Sequence, residues 1–165
     1  MNRRLPALSW VVLLLTCAVL PLAVSCSSIP ADPDGTLERV SGGTLRVGVS
    51  NAPPFAEVND TGGPSGSEAD LVRKFAESLG AEVEFSESGE EILMERLAEG
   101  DLDLVIGGLS ESSPWTDKAA FTRPYAEVTD DYGTTRRLVM AAPLGENAFL
   151  VRLERFLDQN GQDNG

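Results

Sequence analysis

The sequence predicts an α/β fold, a mostly parallel sheet flanked by helices. Two observations carry this. Short segments rich in Val, Ile and Leu alternate along the chain with segments whose apolar residues recur at helical spacing. The helical segments end on glycine, where a chain leaves the helix most easily. The order strand, helix, strand, helix, strand implies crossover connections and therefore parallel neighbours.

Each element follows from its residues. Residues 44–50 (TLRVGVS) predict a first strand, and 51–67 a Pro-, Gly- and Asn-rich loop in which Phe55 and Val58 are the large apolar residues. Residues 68–79 predict a helix with Leu71, Val72, Phe75 and Leu79 on one face and Gly80 at its end. Residues 82–85 read as a strand. Residues 90–99 read as a helix with Ile92, Leu93 and Leu97 inward, closed by Gly100. In 101–107 (DLDLVIG) the run Leu104-Val105-Ile106 predicts a strand buried on both faces. Beyond Gly108, Ser112 or Ser113 is placed to cap a short helix with Pro114 as its first residue. Residues 119–122 and 138–142 predict further strands. Asn147 is placed to cap a last helix with Phe149, Leu150, Leu153 and Phe156 or Leu157 as its stripe. The apolar stripes are read as core.

The ends read differently from the middle. Arg3 and Arg4, an apolar run to Val24 and a small residue, Ser25, predict a secretory signal over residues 1–25. A membrane-spanning helix is the rival reading, since the run approaches spanning length; Pro21 and the abrupt change to SSIPADPDG favour a cleaved signal. Ala23-Val24-Ser25-Cys26 resembles a bacterial lipobox, which makes Cys26 the expected lipidation site, though Leu is preferred where Ala23 stands. Residues 26–43, poor in large apolar side chains, predict a lipid-anchored flexible tether. The domain is expected over 44–159, with a polar tail at 160–165.

Composition removes several function classes. Both cysteines lie in or at the end of the leader, and there is no histidine. The body therefore has no disulfide, no thiolate or imidazole metal site and no Ser-His-Asp machinery. No cofactor or metal is expected. Beyond Ser25 stand 11 basic and 26 acidic residues, a net charge of −15. Such a surface repels nucleic acid and anionic headgroups.

Five stretches in order carry a resemblance: LRVGVSNAPPF, GxxxGSEADL, LGAEVEF, LAEGDLDLVIGGLSES and AFTRPY. Together, over residues 44–125, they are similar to the first lobe of the family 3 solute-binding proteins, the polar amino-acid receptors of ABC transporters. The tail from Leu138 resembles the strand and helix that end such a lobe. The resemblance implies a single lobe of a periplasmic-binding-protein type II fold and an exported, membrane-anchored protein. It further implies a small-molecule ligand of amino-acid-like class and an ABC permease as partner. Ligand sites in open parallel sheets lie beyond the carboxyl ends of the strands. This makes Asn51, Phe55, Gly108, Ser110, Ser112 and Trp115 the candidate ligand-binding residues, with no catalytic ones. Phe55 would form an apolar wall, Gly107 and Gly108 would let backbone approach the ligand, and the serines would offer hydroxyls. Turn and capping chemistry is the competing reading of the serines.

Two departures qualify this. Amino-acid receptors of the family usually carry an arginine five residues after Ser110 to clamp the ligand's α-carboxylate; Trp115 stands there. Its ring offers a stacking face, and Glu68, Asp70, Glu111 and Asp117 add negative charge, which together favour a cationic or uncharged ligand. Packing under the loop is the competing reading of Trp115. Second, only the 12 residues 126–137 separate Tyr125 from the returning strand, where the family inserts a whole second lobe. That stretch reads as a surface connection. A homodimer partner or another protein is then expected to supply the missing wall, with Trp115 and Tyr125 as part of the patch. The alternative function is an interaction or self-association module without a transport ligand.

Overall fold

The computed structural model describes residues 31–59, 63–130 and 132–161. The expected signal, Cys26 and the last four residues lie outside the described residues. Strand β1 (Thr44–Val49) is central. It pairs in parallel with β2 (Glu82–Glu87) from Thr44↔Glu82 to Val49↔Glu87, and with β3 (Leu104–Ile106) from Val47↔Leu104 to Val49↔Ile106. Beyond β3, the short strands β7 (Ala141–Ala142) and β4 (Ala120–Phe121) add antiparallel, giving the order β2-β1-β3-β7-β4. Most of the ladder is parallel, as the alternation of elements requires.

Helices cover both faces. On one side α2 (Ser67–Leu79) and α4 (Asn147–Asn160) pack around Phe75, whose ring meets Phe149 edge-on at 5.9 Å and Phe156 at 5.4 Å. Leu45, Val47, Val49, Leu71, Val72 and Leu153 belong to the same core. On the other side α3 (Glu90–Ala98) buries Leu93, Met94 and Leu97 against Leu102, Val105, Leu109 and Val139. Each large side chain so buried stabilises the lobe by about 2 kcal/mol. The close seating of α3 explains Gly48 within a strand: a Cβ there would stand 2.8 Å from Leu102 and 2.9 Å from Leu93. Among the described residues no helix is long and apolar enough to cross a membrane.

Several expectations are corrected. The stretch read as a tether is part of the lobe from Asp32 onward. Residues Thr36–Val40 form a short helix, α1, with Val40 fully buried. Its local propensity is slight, and carboxylates distant in sequence hold it: Glu146 accepts from the Asp34 and Thr36 amides, each at 2.9 Å. Asn147 does not cap α4. Asp32 does, accepting from the amides of Ala148 at 2.6 Å and Phe149 at 3.0 Å. The expected polar tail begins later, since α4 includes Asn160 and Gly161 is buried. The short helix after Pro114 is a turn, in which the Lys118 and Ala119 amides both donate to Trp115 O. Residues 138–142 divide between two sheets. The supposed surface connection is a hairpin, β5 (Ala126–Thr129) with β6 (Thr135–Leu138), paired from Ala126↔Leu138 to Thr129↔Thr135.

Candidate functional site

The carboxyl ends of β1 and β3 lie side by side, and the loops leaving them converge. Phe55 is fixed in its loop by backbone bonds, its N–H donating to Ala52 O at 3.0 Å and its carbonyl accepting from the Glu68 amide at 2.9 Å. That contact needs Gly66, whose φ is 106° and where a Cβ would stand 2.5 Å from Phe55 O. Phe55 is half-buried and Asn51 exposed, with Asn51 Oδ1 accepting from Val58 N at 3.1 Å.

The loop after β3 is fastened from below by Glu68, on the first turn of α2 and fully buried. Its Oε2 accepts from Gly107 N at 2.8 Å and Gly108 N at 3.0 Å, and its Oε1 from the Tyr125 hydroxyl at 2.5 Å. Burial pushes the Glu68 carboxyl up, and the Tyr125 hydroxyl and the two amides offset part of that rise. Burial and the adjacent Glu68 push the Tyr125 phenol up as well. These bonds aim the Gly107 and Gly108 amides at a side chain of the protein itself. Gly108, at φ 64°, lies under Phe55 and Ala52, and Gly107 against Ser50. Both glycines thus serve close packing within the loop cluster.

Above this floor, Ser110 and Ser112 place their hydroxyl oxygens 2.9 Å apart, and Ser113 Oγ accepts from Ser110 N at 3.2 Å. The segment is tied to the hairpin base. Ser110 pairs with Leu138, and Glu111 N donates to Arg137 O at 3.1 Å. Arg137 grips Glu111 through Nε to Oε1 at 2.7 Å and Nη2 to Oε2 at 2.5 Å.

The structure thus brings Phe55, Gly108, Ser110 and Ser112 to adjoining strand ends. Trp115 stands apart in role. It packs against the α3 core, its indole N–H donates to Glu90 Oε1, and Lys118 Nζ lies 5.3 Å from its ring centroid. Tyr125, expected on an open patch, is buried at 8% exposure. Sequence reasoning noted Glu68 only as a nearby charge and did not single out Arg137. Glu68 follows directly on Gly66-Ser67 and so marks a carboxylate at a helix start facing a glycine pair, which is the signal that finds it. Arg137 had none, because its place depends on the hairpin. Among the described residues no group of His, Cys, Asp and Glu is placed to hold a metal.

Comparison with known proteins agrees with this architecture. The arginine-bound form of domain 1 from TmArgBP superposes with a TM-score of 0.63 at 26% identity, over 74% of this chain and 97% of that one. A putative binding component of an ABC transporter from Wolinella succinogenes, complexed with lysine, superposes at 0.64 over 73% of this chain and 91% of that one; at 17% identity it speaks for the fold alone. Among curated proteins, membrane-bound lytic murein transglycosylase F of Maricaulis maris is 35% identical over 67% of this chain and 25% of its own length. That of Stutzerimonas stutzeri is 33% identical over 68% of this chain and 24% of its own. The chain spans about a quarter of the length of these relatives. The family pattern of the bacterial extracellular solute-binding proteins, family 3, matches residues 45–163, and to that family this chain belongs.

Proposed function

We propose that this lobe is an extracytoplasmic binding protein, anchored through an acylated Cys26, that holds a small cationic amino acid or a close analogue at the carboxyl ends of β1 and β3. One observation carries the reading. A rigid loop, fixed by Glu68 from below, presents the Ser110 and Ser112 hydroxyls beside the half-buried Phe55. The net charge of −15 beyond Ser25 favours a cation there. That domain 1 from TmArgBP, alone and of similar fold, is described in an arginine-bound form supports binding by a single lobe. Delivery to an ABC permease belongs to the same reading. The chain acts as a receptor and not an enzyme; the activity named for its curated relatives belongs to proteins of which the matched stretch is about a quarter.

Calorimetry on the full chain in mild non-ionic detergent tests this. Arginine and lysine bind, and at about a hundred times Kd they raise the melting temperature by roughly 10 °C. Micromolar binding of glutamate in preference to arginine, or no response to either cation, overturns the reading. A second reading, an interaction module, is favoured by the hairpin, whose Tyr132 is 95% exposed. Under that reading, sedimentation shows self-association and no cation shifts the melting temperature.

A further inference from the structure

The position at which amino-acid receptors of this family carry a carboxylate clamp holds Trp115, whose indole N–H and ring are already engaged by Glu90 and Lys118. The hairpin that fills the place of the second lobe brings a different guanidinium to the same loop. Resting on the reading of this lobe as a receptor for a cationic amino acid, we propose that Arg137 receives the ligand's α-carboxylate. Glu111 is the internal carboxylate that the ligand displaces.

Three backbone links hold residue 137 to the loop. Glu111 N donates to Arg137 O at 3.1 Å, Ser110 forms an antiparallel bridge with Leu138, and Val139 N donates to Leu109 O at 2.9 Å. The backbone of Arg137 is therefore fixed beside the loop that carries the serine pair. Its cross-strand neighbour in the hairpin is Glu127. The side chain nevertheless pairs with Glu111, on the ligand loop, and does so with Nε and Nη2 on the two carboxylate oxygens. That fork is the geometry in which arginine takes any carboxylate. The Arg137 side chain is 50% exposed and that of Glu111 44% exposed. Ion pairs in water are weak and exchange readily, so a ligand carboxylate that also reaches the Ser110 and Ser112 hydroxyls has the advantage over Glu111.

The test compares L-arginine with agmatine, which is arginine without its carboxylate, by calorimetry on the full chain in detergent. Wild type binds arginine at least about tenfold more tightly than agmatine, the expected worth of one bidentate carboxylate contact. Arg137→Gln brings arginine to the agmatine level and leaves agmatine unchanged, which also shows that the variant folds. Glu111→Gln, by removing the competitor, raises the preference for arginine over agmatine several-fold. Equal binding of the two ligands by wild type, or an arginine preference that survives in Arg137→Gln, overturns the role of Arg137 while the cation receptor stands. Binding of neither ligand overturns both.

Discussion

Asp103 shows how a single residue fastens the amino ends of the strands. Its side chain is fully buried and accepts from Arg46 N, Nε and Nη2 at 2.9, 3.1 and 2.6 Å, and from Arg39 Nη1 and Nη2 at 3.2 and 2.8 Å. Burial by itself would raise its carboxyl, but the hydrogen bonds from Arg46 and Arg39 prevail and hold it below the usual carboxylate range. A depressed folded pKa contributes stability above the unfolded value of about 3.9, lost as pH falls through the lower folded value. Glu68 acts oppositely: its raised carboxyl contributes most at low pH and less as pH rises. The pH profile of the wild type alone therefore mixes the two, and a difference between variants separates them. Asp103→Asn should be less stable than wild type by about 2 kcal/mol at pH 7, from lost charge-assisted hydrogen bonds. The gap should stay constant down to about pH 5, begin to narrow below about pH 4, and close only as pH falls through the lower folded value. Urea denaturation at pH 7, at pH 5 and at several points below about pH 4 checks this, and a gap that does not narrow over that last range would show that charge is not what Asp103 contributes.

At the scale of elements, the short helix α1 depends on carboxylates far from it in sequence. Asp32 joins two helices, its Oδ2 accepting from Leu37 N at 2.9 Å while Oδ1 serves the first turn of α4. Glu146 returns the favour at the start of α1. Losing one cap typically costs about 1 kcal/mol, so Asp32→Ala should destabilise by about 2 kcal/mol because two helix starts lose their acceptor. Chemical denaturation measures it, and a loss no larger than that of an exposed surface alanine would return residues 32–40 to the status of a tether. This arrangement also marks where the sequence stops being legible. The helices α2, α3 and α4 could be read because eight or more residues repeat an apolar face, and β1 and β3 because β-branched runs are bounded by turns. The five residues of α1 present no period, and no local pattern says that Asp32 will meet Ala148. The hairpin was hidden for a related reason: its strands are four residues long and mostly exposed, so their alternation carries no burial signal. That Phe55, Ser110 and Ser112 would meet in loops at adjoining strand ends was legible because the carboxyl ends of parallel strands lie side by side. Which side of Trp115 is covered was not legible, because the packing of α3 against its ring is a contact between segments distant in sequence.

For the whole molecule, the decisive features are a single lobe and a large negative charge. Under the proposed function an amino acid bound to a single lobe keeps part of its surface in water, so packing contributes less to affinity than in a two-lobed receptor. Electrostatic attraction from the body as a whole correspondingly matters more. The 26 acidic residues recur along the sequence from Asp32 to Asp163, and their long-range attraction for a cation reaches about 30 Å at 0.01 M salt but only about 8 Å at 0.15 M. The same charges repel one another and oppose folding, and salt relieves that repulsion. The two consequences run in opposite directions. Raising sodium chloride from about 0.01 to about 0.15 M should raise the melting temperature of the unliganded chain while weakening arginine several-fold. Agmatine, with two positive charges and no negative one, should weaken more steeply than arginine, whose carboxylate is repelled by the same field. Calorimetry at four or five salt concentrations gives both slopes. A stability gain with no loss of affinity would mean that the ligand is held by local contacts at the strand ends alone, with the body's charge serving only solubility.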